Sequence, residues 1–144
     1  MLWIHHVTTE QFLERGLVTI GFDVARQRRT RGATQIRRFR ASFGAGPGAC
    51  SAIYRDLQTT QIANARIAKP DSYYFLVAMN WLATYKKEEE MAGFFQCHEE
   101  TLRKHIKKYV NAIAALHGQK IVWKDLNDAI AVFALFLLMA FTVE

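Results

Sequence analysis

Residues 86–116 decide the fold, and they read KKEEEMAGFFQCHEETLRKHIKKYVNAIAAL. The second half of this stretch predicts a long amphipathic helix that opens at Glu99, because its apolar residues recur at helical spacing. These apolar residues are Leu102, Ile106, Tyr109, Val110 and Ile113. The first half predicts a short helix with apolar contacts from Met91, Ala92, Phe94 and Phe95. Glu88, Glu89 and Glu90 fall in its first turn, where carboxylates meet the positive end of the helix dipole.

The three residues Gln96-Cys97-His98 are predicted to form a tight turn between the two helices. A helix-turn-helix needs a small residue where the first helix crosses the second, then a short turn, then apolar positions that seat the second helix. Ala92 supplies the small residue, and Leu102 and Ile106 supply the seat. Many ordinary helical hairpins share this pattern, and Gln96 stands where glycine is common. The outer face, with Arg103, Lys104, Lys107 and Lys108, favours DNA binding over a structural hairpin, although such a face also serves solubility.

Outward from this pair, the sequence predicts further helices. A core helix has the stripe Phe75, Leu76, Met79 and Leu82 and is capped by Asp71 or Ser72. An earlier helix is capped by Thr34, carries Ile36, Phe39 and Phe43, and stops at Gly44–Gly48. Pro47 begins another, with Cys50, Ile53, Tyr54 and Leu57 inward. We therefore expect a small all-α domain of about five or six helices.

Charge and composition divide the chain into three regions. Residues 1–33 form a basic, partly flexible arm, residues 34–118 form the helical domain with the helix-turn-helix at about 86–116, and residues 119–144 form an apolar helix. Ala129 to Val143 holds fifteen residues without a charge, which suits a buried helix better than a membrane span. A membrane anchor is the less favoured alternative.

The chain is basic overall. Nineteen Lys and Arg against thirteen Asp and Glu give a net charge of +6, which favours polyanionic partners such as nucleic acid or an anionic membrane surface. Seven arginines fall between Ala25 and Arg40, as expected of a segment that neutralises phosphates or of a nuclear-import patch. Cys50 and Cys97 have no metal-ligand or CxxC spacing, and the N-terminus has no secretory pattern. We expect free thiols and an intracellular, nuclear protein.

Several segments, taken in order, resemble the N-terminal region of Harbinger-type DDE transposases. The resemblance spans Gln35 to Trp123 and includes RFRASF at 38–43, KP at 69–70, FLVAMNWLAT at 75–84, MAGFFQCHEETL at 91–102, residues 106–113 and KIVW at 120–123. No single motif is diagnostic, but their order and spacing are similar throughout. The resemblance implies a helix-turn-helix at residues 91–102.

In that family a catalytic domain follows, in which three carboxylates hold two metal ions. Here Asp125 and Asp128 lie near the expected start of that domain, and the remaining residues are too few to bring three carboxylates together. We therefore expect a truncated or diverged protein that is not an enzyme and has no catalytic residue, cofactor or metal. The five histidines form no zinc-binding pattern.

The predicted partner is double-stranded DNA. Arg103 and Lys104 would reach bases or phosphates, while Lys107, Lys108 and the arginines would hold the backbone. The candidate DNA-binding residues are His98, Glu99, Thr101, Arg103, Lys104, Lys107, Lys108, Arg26, Arg28, Arg29 and Arg31. Glu99 and Glu100 could accept from cytosine N4, although their position in the first turn is also explained by the helix dipole alone, the preferred interpretation.

A second hypothesis is a protein-interaction module. Its apolar C-terminal helix would join two copies of the chain or dock a separate catalytic subunit. This hypothesis depends on Ala129 to Val143.

Overall fold

Seven α-helices and no strand form residues 4–116, the part of the chain that the computed structural model describes. The helices are α1 (Thr9–Thr19), α2 (Val24–Arg28), α3 (Gly32–Phe43), α4 (Pro47–Thr59), α5 (Ser72–Thr84), α6 (Glu88–Phe95) and α7 (Glu99–Leu116). The all-α prediction is confirmed. The predicted number of five or six helices is too low, because two helices lie where the arm was expected.

Helix α5 is the centre of the domain. Its side chains are buried around nearly its whole circumference, and α3 and α7 are its main packing partners. The ring of Phe75 makes edge contacts with Phe12 of α1, Tyr54 of α4 and Tyr109 of α7. Asp71 caps the helix by accepting a hydrogen bond from the Tyr73 amide at 2.9 Å, as predicted. A helix apolar on all sides suits this interior position.

The predicted helix pair is present, with the turn at Gln96–His98. Gln96 adopts the left-handed conformation (φ 52°, ψ 50°), which ends α6, and the Cys97 amide donates to the Ala92 carbonyl at 3.0 Å. Helix α7 begins at Glu99 and buries the predicted stripe, with Leu102 fully enclosed. Gln96 therefore takes the backbone conformation that glycine would adopt at lower cost.

Residues 9–19 were predicted to belong to a basic, partly flexible arm, but they pack against the rest of the domain. These residues form α1, which opens with a capping box between Thr8 and Gln11 and buries Phe12 and Leu17. A β-carbon at Gly16 would lie 2.3 Å from Phe39, so glycine lets α1 approach α3 closely. The buried positions of α1 are few and one of them is a glycine, which explains why hydrophobic periodicity is weak there.

The chain before α1 is also held in place. The side-chain oxygen of the buried Gln58 accepts from the His5 amide at 2.6 Å, and its nitrogen donates to the His5 carbonyl at 3.0 Å. This pairing satisfies both backbone groups of His5 as a neighbouring strand would. Residues 4–8 therefore lie extended along α4.

Two smaller predictions, both about α3, are wrong. Helix α3 begins at Gly32 after Arg31, so Thr34 lies inside it and is not its cap. Ile36 was expected on the apolar stripe of α3 but is 40% exposed, and Phe94, an expected apolar contact of α6, contacts the Phe95 ring while 46% exposed. The predicted C-terminal helix at 119–144, together with Asp125 and Asp128, lies outside the described residues.

Candidate nucleic-acid interface

The α7 lysine surface consists of Lys104, Lys107 and Lys108, all exposed on the side of α7 away from the core. Lys104 and Lys107 are three residues apart and share a helix face. The opposite face is buried through Leu102 and Ile106. The structure therefore presents these three predicted residues together on a helix whose orientation is fixed by packing.

Tyr109 fixes that orientation at the N-terminus of α5. Its hydroxyl accepts a hydrogen bond from the Asp71 amide at 2.6 Å, and burial raises the pKa of the phenol. The ring is almost fully buried. Tyr109 was predicted as a core residue, but its polar contact to the α5 cap has no sequence signal.

Arg103, a predicted DNA contact, is bound within the protein. Its Nε donates to Oε1 of Glu88 at 2.9 Å and its terminal nitrogen donates to Oε2 at 2.6 Å. These hydrogen bonds hold the pKa of Glu88 below its ordinary 4.5. The two-point contact ties the start of α6 to α7 and engages the Nε–Nη2 edge of the guanidinium, one of the edges that can meet phosphate or guanine.

The turn end of the helix pair is acidic. Glu89, Glu99 and Glu100 border a shallow groove over the turn, together with His98 and Arg103. All three carboxylates are on residues in a first helical turn, where the helix dipole favours negative charge. Thr101 and His98 are exposed beside them. Phosphate would be repelled here, so only base edges or solvent suit this end.

His105, which sequence reasoning missed, sits where α7 meets α5. Its ring stacks on Tyr74 with a centroid separation of 3.7 Å and an interplanar angle of 12°. Its Nδ1 is buried with no hydrogen-bond partner among the described residues. Burial, and then the charges of Lys108 and Lys104, lower the pKa of His105, while Asp71 acts in the opposite direction. The packing thus favours the neutral imidazole, and no sequence pattern indicates this.

The predicted arginines form a second cationic region, the arginine surface, made of Arg26, Arg28, Arg29 and Arg31. All four are exposed on α2 and at its junction with α3. Gln27 holds α2 in place by donating to the Phe22 carbonyl at 2.9 Å and to the Glu14 carbonyl of α1. Arg26 and Arg28 belong to α2, while Arg29 is the C-cap of α2 and Arg31 the N-cap of α3.

The structure does not bring the arginine surface and the α7 lysine surface together. Helices α3 and α7 both pack on α5, whereas the main packing partner of α2 is α1. The arginine surface and the α7 lysine surface therefore belong to different helix pairs of the fold.

No protein-family model matches the chain, and no curated protein or solved structure matches it. Within residues 4–116, no helix combines the length and apolar character needed to cross a membrane. Over the same residues, no group of three or more His, Cys, Asp or Glu side chains is arranged to hold a metal ion. Cys50 is buried and Cys97 half-buried, and both thiols are free, as predicted.

Proposed function

We propose that the chain binds duplex DNA through α6 and α7, acting as a helix-turn-helix with α7 against the major groove. The observation that carries this proposal is the α7 lysine surface on a helix seated by Leu102 and Ile106. A helix fixed in this way can present its cations to a duplex without loss of side-chain packing. Helix-turn-helix proteins place the second helix of the pair in the major groove.

In this proposal Lys104, Lys107 and Lys108 neutralise phosphates along the groove. His98 and Thr101, exposed near the start of α7, are within the part of the helix that meets base edges. Glu99 is compatible with this end because a carboxylate can accept a hydrogen bond from cytosine N4. In this proposal Arg103 contributes to DNA binding when its hydrogen bonds to Glu88 break.

The charge distribution favours a duplex that lies alongside α7 over one into which α7 inserts with its N-terminal end first. The acidic residues collect at the turn, and the lysines begin one turn further along the helix. A duplex whose phosphates run beside the middle of α7 meets the lysines and avoids Glu89 and Glu100. Repulsion at the turn would make end-on insertion unfavourable.

The resemblance to the N-terminal region of Harbinger-type transposases agrees with this function. A DNA-binding domain of that kind, acting without a catalytic domain, would recognise DNA without cutting it. An arginine-rich, DNA-binding chain is suited to the nucleus, and we propose nuclear localisation on that basis.

A salt titration of duplex binding tests the proposal. Affinity for a short B-form duplex should be readily measured at about 50 mM salt and should fall by roughly 0.9 log units per log unit of salt for each phosphate neutralised. Three lysines predict a slope near −3 from this surface. Failure to detect duplex binding at low salt would contradict the proposed function.

A further inference from the structure

We infer that the arginine surface is a second binding site for duplex phosphates, separate from α7, so that one molecule bridges two duplex segments. This inference rests on the proposed function for its first site. The second site rests on the charge and orientation of α2 and α3.

The region from Phe22 to Gly44 holds seven arginines and a single carboxylate, Asp23. Asp23 is occupied as the N-cap of α2, where it accepts a hydrogen bond from the Arg26 amide at 2.7 Å. No carboxylate of residues 4–116 forms an ion pair with Arg28, Arg29 or Arg31. Their guanidinium groups are therefore available to an external anion.

The surface is held in place by contacts beneath it. The guanidinium of Arg38 lies 4.3 Å from the centroid of the Phe22 ring, and that of Arg26 lies 5.3 Å from it. The Gln35 side chain donates to the Gln27 carbonyl, which joins α3 to α2. Arg28, Arg29 and Arg31 thus extend from a backbone that packing has already ordered, and less conformational entropy is lost on binding.

The orientation of the two surfaces follows from the faces of α5. Asn80 donates to the Ser42 carbonyl at 2.7 Å. A β-carbon at Gly44, the C-cap of α3, would lie 3.1 Å from the Ala83 side chain, so this side of α5 faces the C-terminal end of α3. Tyr74 stacks on His105 of α7. Tyr74 and Ala83 are nine residues apart, about two and a half helical turns, and so lie on opposite sides of α5. The solvent faces of α3 and α7 therefore point away from each other, and the arginine surface adjoins the N-terminal end of α3, whose N-cap is Arg31.

Duplex nucleic acid fits the arginine surface better than a membrane does. Guanidinium groups make two-point hydrogen bonds to phosphate oxygens, and closely spaced arginines match closely spaced phosphates. A membrane-surface helix needs a broad apolar face beside its cations. Helix α2 has five residues, VARQR, and only Val24 is a large apolar residue among them.

A capture experiment tests the bridge with the whole chain. One duplex is fixed to beads, protein is added to saturation at about 50 mM salt, and binding of a second, fluorescent duplex is measured. The Arg28→Ala, Arg29→Ala, Arg31→Ala triple variant should keep binding to the first duplex. Its capture of the second duplex should fall by about a hundred-fold, because three phosphates are no longer neutralised.

The matched control replaces three exposed cations outside both surfaces, Arg55, Arg66 and Lys69, with alanine. It should capture the second duplex as the unaltered protein does. Equal capture by the arginine variant, or no capture by the unaltered protein, would overturn the inference. So would arginine-dependent binding to anionic vesicles without any capture of a second duplex.

The failure of the proposed function would look different. In that case the arginine variant would lose binding of the first duplex, because no other surface would hold it. If instead the arginine variant keeps the first duplex, Lys104→Ala, Lys107→Ala weakens that binding and the unaltered protein captures no second duplex, the proposed function stands and the bridge does not.

Discussion

Arg103 of α7 holds the carboxylate of Glu88 at both oxygens, with the shortest contact at 2.6 Å. Both side chains are about half exposed, so the pair contributes little to stability through charge attraction alone. The larger effect of the pair is that it keeps the Arg103 guanidinium from contacting DNA phosphates. We expect Glu88→Gln to increase duplex affinity and steepen its salt dependence, because the freed guanidinium can reach phosphate.

The stability difference between the unaltered protein and Glu88→Gln should depend on pH. Because Arg103 holds the pKa of Glu88 below 4.5, the pair stabilises the fold above that pH and loses its effect as the pH falls through the lowered value. The Tm of the unaltered protein should therefore exceed that of Glu88→Gln slightly near neutrality, and the difference should vanish in acid. Equal duplex affinity of the two proteins would show that Arg103 does not approach DNA.

Gly16→Ala tests whether α1 belongs to the core. The new β-carbon would lie 2.3 Å from Phe39 and 2.9 Å from Phe43, and both rings are buried. We expect a loss of about 1–3 kcal/mol in the free energy of unfolding, measured by denaturant titration. Gly93→Ala is the matched control, since nothing lies within 4 Å of its β-carbon, and it should stabilise α6 by about 0.5–1 kcal/mol. A neutral Gly16→Ala would contradict the packing of α1 on α3.

His105 should make stability depend on pH. Burial and two neighbouring lysines lower its pKa below 6.5, so the unfolded chain takes up a proton before the folded one does. Stability attributable to this group is complete above pH 6.5 and is lost as the pH falls below it. His105→Phe keeps a ring on Tyr74 and should flatten the dependence of Tm on pH in that range. His98→Gln, an exposed control, should retain it, and equal slopes for the unaltered protein and His105→Phe would contradict the assignment.

Sequence periodicity was sufficient for α4, α5, α6 and α7, because each has apolar residues at regular helical spacing or a clear cap. It failed for α1, where glycine replaces a core side chain and the close approach to Phe39 becomes apparent only after folding. It was incomplete at Phe94, an expected apolar contact of α6 that contacts the Phe95 ring and is nevertheless 46% exposed. Residue type alone does not say which side of a short helix is covered.

The candidate site was predicted only in part. The cationic face of α7 follows from sequence, since Lys104, Lys107 and Lys108 all avoid the buried stripe. The engagement of Arg103 by Glu88 does not, because the two residues are fifteen positions apart and meet only when α6 folds back on α7. The separation of the arginines from α7 likewise depends on how α3 and α7 pack around α5.

Leu102→Ala tests the packing of α7 on the core without changing the lysines on its exposed face. Leu102 is fully buried, so its truncation removes apolar packing and leaves a cavity. We expect a loss of about 2–5 kcal/mol in the free energy of unfolding, with duplex binding reduced only as folding is lost. A stable Leu102→Ala protein would contradict the seating of α7 on the core.

The central claim is tested most directly by the salt dependence of duplex binding in Lys104→Ala, Lys107→Ala. Both lysines are exposed and lie off the buried stripe, so the variant should keep the Tm of the unaltered protein. Measured in the Arg28→Ala, Arg29→Ala, Arg31→Ala background, so that only α7 binds, the slope of log affinity against log salt should be smaller by nearly two, at roughly 0.9 for each phosphate that the lysine variant no longer neutralises. Arg55→Ala, Arg66→Ala should leave the slope unchanged. Unchanged affinity and slope in the lysine variant would mean that the cationic face of α7 serves solubility and does not bind DNA.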